Sequence, residues 1–154
     1  MVSEPALDIR DAMGCTCMRL RRASRQITQL YDQHLAVVGL TAGQFGLLAR
    51  LYGASRRGEA ALPIGVLADQ HGTDPTTLTR NLKLLLAAKL VRDGRDQADR
   101  RVRTISLTEA GRNRLILAVP EWRKAQHQVE AALGTEATLA LNGLLDLSRA
   151  KLPA

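Results

Sequence analysis

The sequence predicts a mainly α-helical domain carrying one small β-hairpin, and three observations lead there. Apolar positions recur at steps of three and four in both halves of the chain, capping residues and glycines punctuate those stretches, and one basic stretch between them changes to strand-like alternation. The chain has 154 residues, 45% of them apolar, with 22 Lys and Arg against 15 Asp and Glu for a formal charge of +7. At this length folding removes roughly 70% of the unfolded surface from water, so a single domain over residues 1–154 builds a core without disulfides or metal.

Taken in order, Met13, Cys17, Leu20, Ser24, Ile27, Tyr31, His34 and Val38 draw one stripe down a long helix, and such a stripe needs a partner. Gly39 stops it. Thr41 opens a second helix with Gln44 three positions on, a reciprocal capping pattern, and Gly53 with Ser55-Arg56-Arg57-Gly58 closes it. A short helix from Ile64 to Gln70 leads into a His71-Gly72-Thr73 turn, after which Asp74-Pro75 supplies a cap and a proline at the first helical position. From Pro75 to Lys89, Leu78, Leu82, Leu85 and Leu86 face inward, while Thr76, Arg80, Lys83 and Ala87 face outward at 100° per residue. Leu90-Val91-Arg92-Asp93 and Val102 to Leu107 read as two strands joined by the charged segment 94–101. Thr108 caps the next helix, with a stripe at Leu115, Val119, Trp122, Gln126, Val129 and Leu133; Pro120 is where it would kink or split. Gly134 ends it, and Thr135 starts a last helix with Leu141, Leu144, Leu145 and Ser148 inward.

Composition narrows the function. Apolar runs such as Leu84 to Ala88 fall far short of the roughly 20 residues a spanning helix needs, and Met1 to Arg10 carries Glu4, Pro5 and Asp8 rather than a basic and then apolar leader. A cytoplasmic protein with no membrane contact is expected. Cys15 and Cys17 are too close for an ordinary structural bridge, which suits a reducing compartment. Excess positive charge points to a polyanion, and the four aromatics Tyr31, Phe45, Tyr52 and Trp122 are too few to stack successive unpaired bases, which favours double-stranded DNA.

Two helices joined by a glycine turn are how a small domain sets one helix into the major groove. Thr76 and Thr77 are short enough to let the backbone approach, with a phosphate their expected partner, while Arg80 and Lys83 lie on or near the same face, where Arg80 can fork onto a guanine edge or clamp a phosphate. Between Asp74 and Arg114 stand ten Lys or Arg against five acids, so much of the surplus charge is local. In the hairpin, Arg95, Arg100 and Arg101 are placed to reach a minor groove, and Asp96 or Asp99 to pair with a neighbouring arginine and hold the loop.

The succession Thr41-Ala42-Gly43-Gln44-Phe45, Leu67-Ala68, Thr77-Leu78-Thr79-Arg80, Leu90-Val91-Arg92-Asp93, Asp96-Gln97-Ala98-Asp99-Arg100-Arg101 and Leu107-Thr108-Glu109-Ala110-Gly111 resembles the MarR family of bacterial transcriptional regulators, over about residues 13 to 133. The resemblance implies a winged helix-turn-helix lobe over 41–108, set between dimerisation helices over 8–38 and 110–152 that intertwine with a second subunit. It implies a homodimer on a pseudo-palindromic operator, a repressor released by a small-molecule effector or by thiol oxidation. It also puts Thr76, Thr77 and Arg80 on the recognition helix, Arg100 and Arg101 in the wing, and Asp99 in a bracing pair with an arginine. The chain departs from the family where glycine usually precedes Leu90-Val91, since Lys89 stands there, and where charged residues are usual, since Leu84 and Leu86 to Ala88 replace them. The junction of dimer helices and DNA-binding lobe is the expected effector cleft, with Tyr31, His34, Phe45 and Trp122 as lining.

Cys17, Ser24, Arg25 and Tyr31 resemble the peroxide-sensing OhrR branch in type and spacing, although Arg21, Ala42 and Phe45 stand about where that branch has its tuning rings. A redox-sensing regulator using Cys17, with Cys15, is thus the second reading, and Arg19, Arg21 and Arg22 supply the electropositive setting that favours a reactive thiolate. Side chains two apart on a helix diverge by about 200°, so the two thiols neither bond nor share an ion unless Gly14 ends the helix before them. No metal site and no cofactor are expected, even with His34 and His71 counted. A thiol redox enzyme would want a Cys-x-x-Cys spacing, and a sequence-neutral architectural protein would want intercalating wedges; the chain has neither, and no enzymatic activity is expected.

Overall fold

The computed structural model describes residues 14–152, so positions 8–13 of the expected first helix, Met13 among them, lie outside the described residues. Helix α1 (Thr16–Leu35) starts one residue after Cys15, whose extended backbone (φ −65°, ψ 146°) makes it the N-cap. A single 3₁₀ turn, Ala36–Val38, follows, and Gly39 ends it in the left-handed conformation at φ 69° that only glycine adopts without strain. The Arg114 guanidinium donates to the Val38 carbonyl at 2.8 Å, satisfying an acceptor that this helix end leaves unpaired.

Helix α2 (Ala42–Arg56) carries a complete capping box: the Gln44 amide donates to Thr41 Oγ1 at 3.3 Å, and the Thr41 amide donates to Gln44 Oε1 at 3.0 Å. Asp32 of α1 accepts from the Ala42 amide at 2.7 Å, so α1 itself caps α2 and sets the elbow between them. The helix passes through Gly53 and ends at Arg56, within the Ser55-Arg56-Arg57-Gly58 run expected to close it. Helices α3 (Ile64–His71) and α4 (Pro75–Ala87) are joined across Gly72, left-handed at φ 65°. Strand β2 (Val91–Arg95) and strand β3 (Arg103–Leu107) form the expected hairpin, with Val91 opposite Leu107 and Arg95 opposite Arg103. A strand the sequence did not announce, β1 (Leu62–Pro63), adds antiparallel to the other edge of β3, giving the order β1-β3-β2. Its proline suits an edge, since its missing N–H costs no ladder bond there.

Helix α5 (Glu109–Leu133) is capped by Thr108 and runs unbroken through Pro120, which neither splits nor ends it. Helix α6 (Thr135–Lys151) follows after Gly134. Lys89, where the family usually has glycine, adopts a left-handed φ of 57°; the turn from α4 to β2 demands that conformation whichever residue occupies it.

Leu35, Leu47, Leu48, Leu67, Leu85 and Ile105 are fully buried, so one core joins the end of α1, helices α2 to α4 and the sheet, with Leu115 and Ala118 of α5 completing it. Burial of a leucine contributes about 1.5 to 3 kcal/mol, and these side chains hold the hairpin and α4 at a fixed angle. Outside this core two expectations change. Leu144 and Leu145 of α6, read as inward, are 62% and 38% exposed, and Leu139 and Leu147 are 66% and 53% exposed. In α1, Cys17, Leu20 and Ser24 lie exposed, so among the described residues the upper stripe is left uncovered. No single helix among the described residues is long and apolar enough to cross a membrane.

Candidate nucleic-acid interface

The outer face of α4 is set by its cap. Asp74 accepts from the Thr77 amide at 2.9 Å and from the Thr77 hydroxyl at 2.6 Å, and these bonds, the hydroxyl's first, hold its carboxyl below the usual carboxylate range. Leu78, Leu82 and Leu85 are buried beneath, which turns Thr76, Arg80 and Lys83 outward and leaves all three exposed. The Thr77 hydroxyl, expected to seek a phosphate, donates instead within the cap. Thr79, which the sequence reading passed over, is exposed on this helix too, with its hydroxyl donating to the Pro75 carbonyl at 2.8 Å. Leu84 is half exposed, so the face has a greasy edge beside its basic centre.

The hairpin is braced at two levels. Where the strands run into the loop, Arg103 donates to Asp93 at 2.8 Å, which lowers the carboxyl and raises the guanidinium; opposite charges near facing strand positions were the sequence signal for this pair, and it was missed. At its tip Asp99 accepts from Arg101 Nε at 3.1 Å, Nη2 at 3.2 Å and the Arg101 amide at 3.0 Å, and the guanidinium contacts come first in lowering its carboxyl. Asp96 does not pair with an arginine as expected. Its carboxylate accepts from the amides of Ala98 and Asp99 at 2.8 and 3.0 Å, an Asx turn, because two unpaired amides lie closer than any guanidinium. Four of the five acids in this stretch are thus engaged in caps and pairs, while Arg80, Lys83, Arg95 and Arg100 stand exposed. The net field of this face is positive.

Tyr31, His34, Phe45 and Trp122 do not surround one cavity. Phe45 and Trp122 stack at 6.1 Å with planes 13° apart, Tyr31 donates to Gln126, and His34 Nε2 lies 3.1 Å from Gln128 Oε1. Burial, then the nearby Glu130 charge, raises the Tyr31 phenol. Of the four, Phe45 alone lines the apolar cleft between α2 and α5, together with Ala49, Tyr52, Arg112, Leu115, Ile116 and Val119. The other three are held by side-chain partners and packing that linear spacing does not reveal. Cys15 is half-buried and Cys17 exposed, both as free thiols. Among the described residues, no three His, Cys, Asp or Glu are placed to hold a metal ion.

A helix-turn-helix whose second helix presents short and basic residues, next to a braced basic hairpin on a small sheet, defines a winged-helix DNA-binding protein. The M. tuberculosis transcriptional regulator MosR is 37% identical over 88% of this chain and 94% of that one, with a TM-score of 0.73. MosR solved in complex with DNA is 36% identical over 90% of this chain and 99% of that one, TM-score 0.72. A mutant of E. coli MarR complexed with operator DNA, 20% identical over 96% of this chain and 100% of that one, shares the fold at a TM-score of 0.77. No family sequence model and no curated protein sequence matches the chain. The chain belongs to the MarR family of winged-helix transcriptional regulators.

Proposed function

We propose that this chain acts in the cytoplasm as a homodimer that binds a pseudo-palindromic operator in double-stranded DNA and represses transcription until a small-molecule effector releases it. The observation that carries this reading is the separation of surfaces. The basic faces of α4 and the hairpin lie on the lobe over 41–108, while exposed leucines collect on α6 in the helices over 110–152. In the proposal, Thr76, Arg80 and Lys83 meet the major groove, and Arg95, Arg100 and Arg101 meet the neighbouring minor groove. Two such lobes about 34 Å apart address successive major grooves on one side of a duplex. An effector shifts this spacing only by its difference in affinity for the two arrangements. Titrating a promoter fragment against random DNA at fixed salt tests the reading: a preference of about a thousandfold or more is expected, and equal affinity overturns it.

Two further results are expected. Replacing Arg100 and Arg101 by Ala flattens the dependence of log affinity on log salt by nearly one unit for each lost phosphate contact; an unchanged slope removes the wing from the interface. Leu144→Glu together with Leu147→Glu places two charges on the exposed α6 face, and light scattering should then report monomers that bind the operator at least a hundredfold more weakly than the parent, an order of magnitude set by losing the linked second half-site.

A second reading has its own observation. Because α1 begins at Thr16, Cys15 is extended rather than helical, and the divergence that keeps two helical thiols apart does not hold for this pair. A redox-sensing regulator using Cys17, with Cys15, follows. Cys17→Ser should abolish release of DNA by peroxide, and a variant that still responds moves the signal elsewhere.

A further inference from the structure

We propose that Leu84 is a base-reading residue of α4, its side chain receiving the 5-methyl group of a thymine in the major groove beside the base pair that Arg80 meets. The inference rests on the operator binding proposed above. Among the leucines of α4, Leu78, Leu82 and Leu85 are buried and Leu86 packs partly buried against the same core, whereas Leu84 is 50% exposed. The core makes no use of it. Arg80 one turn back, Lys83 beside it and Ala87 one turn on are all exposed, so this leucine lies within the basic face and not apart from it. Four residues of helix advance about 6 Å and one base pair about 3.4 Å, which sets the thymine about two base pairs from the pair under Arg80.

What else the face offers narrows the role. Guanidinium and ammonium groups suit guanine edges and phosphates, while an adenine edge is matched by an amide side chain. The one amide of α4, Asn81, is half-buried against α2, its Nδ2 3.0 Å from where a Cβ on Gly43 would stand. Thr77 and Thr79 spend their hydroxyl protons inside the helix, on Asp74 at 2.6 Å and on the Pro75 carbonyl at 2.8 Å. The Thr76 hydroxyl serves any base, so apolar contact with the thymine methyl is the mode left for marking an A·T pair. An apolar surface of another protein fits poorly here, because it would bury Arg80 and Lys83, which have no acid partner among the described residues, and burying unpaired charge is costly. Duplex DNA brings phosphates for both.

The test lets the full-length protein select duplexes from a random-sequence pool, and each thymine of a selected duplex is then replaced in turn by uracil, which removes the methyl and leaves every hydrogen-bonding group in place. Affinities of the parent, Leu84→Ala and Leu84→Met are measured at one salt concentration. For the parent, one exchange in a half-site should cost about fourfold, the scale of burying a single methyl group. For Leu84→Ala the same exchange should cost nothing. Alanine is the better helix former and the position is half exposed, so this variant keeps its fold. Leu84→Met keeps an apolar side chain of about the same volume and should retain the effect. A thymine scan that is the same in the parent and Leu84→Ala, or one with no sensitive thymine, overturns the inference. Sensitivity lost equally in both variants means that the helix has shifted, and overturns it too. In each of these cases a parent that still prefers the selected duplex to random DNA leaves the operator reading standing; without that preference both fall.

Discussion

Gly111→Ala is expected to destabilise the protein by about 3 kcal/mol, because no rotamer change can make room for the added methyl. An ideal Cβ at this position falls 2.0 Å from the Leu90 carbonyl oxygen, 3.0 Å from its carbon and 2.8 Å from Leu107 Cδ1. The leucine methyl can turn aside; the carbonyl cannot. Leu90 is pinned by its own amide donating to the Leu85 carbonyl at 3.0 Å, and its oxygen accepts from the Thr108 amide and hydroxyl at 3.2 and 2.9 Å. That same hydroxyl caps α5 by accepting from the Gly111 amide at 3.0 Å. One cluster therefore joins the end of α4, the base of the hairpin and the start of α5, and a methyl in it must push these elements apart. Chemical denaturation should show the loss, with a fall in Tm of roughly 10 °C for a chain of this size. A Tm within a degree of the parent would mean that the hairpin base slides freely on α5.

Arg80→Ala is expected to weaken binding to the operator by about 1 to 3 kcal/mol and to relax discrimination at one base pair, as for a guanidinium forked onto a guanine edge. Arg80 lies exposed on α4 with Thr76 and Lys83, above the buried Leu78, Leu82 and Leu85, so truncation removes a contact without opening the core. Affinities for the operator and for every single-base variant of it should be measured at one salt concentration. Equal losses on operator and random DNA would reassign Arg80 to a phosphate. Arg80→Lys separates the two roles further, because a lysine replaces a phosphate contact but not a bidentate fork.

Much of the architecture was legible because its signals are local. The capping box of Thr41 and Gln44, the Asp74-Pro75 start of α4 and the Thr108 cap of α5 each operate within four residues, where sequence spacing and spatial distance nearly coincide. Leu78, Leu82 and Leu85 sit on the face that helical periodicity assigned them. Failures came where a partner lies far along the chain. Strand β1 is two residues long and exists because β3 offers it a free edge. Of the two acids expected to offer an arginine a partner, Asp99 takes Arg101, whereas the loop brings two amides to Asp96 first. Tyr31 and His34 meet Gln126 and Gln128, more than ninety residues away, contacts that no local spacing announces.

By itself the sequence determined the helix-turn-helix, the capped starts, the charged hairpin and the apolar periodicity of the terminal helices, since each follows from backbone and side-chain chemistry within a turn or two. Tertiary structure alone decided which of those faces are covered. Leu115 is buried against the core while Leu144 lies open to solvent, although both occupy apolar stripes. It also decided that Gly111 must lack a side chain and that the buried Nε of Arg50 meets no acceptor among the described residues. The physical reason is that periodicity specifies a direction around a helix axis, whereas burial, close approach and an unpaired charge depend on what the rest of the chain brings to that side.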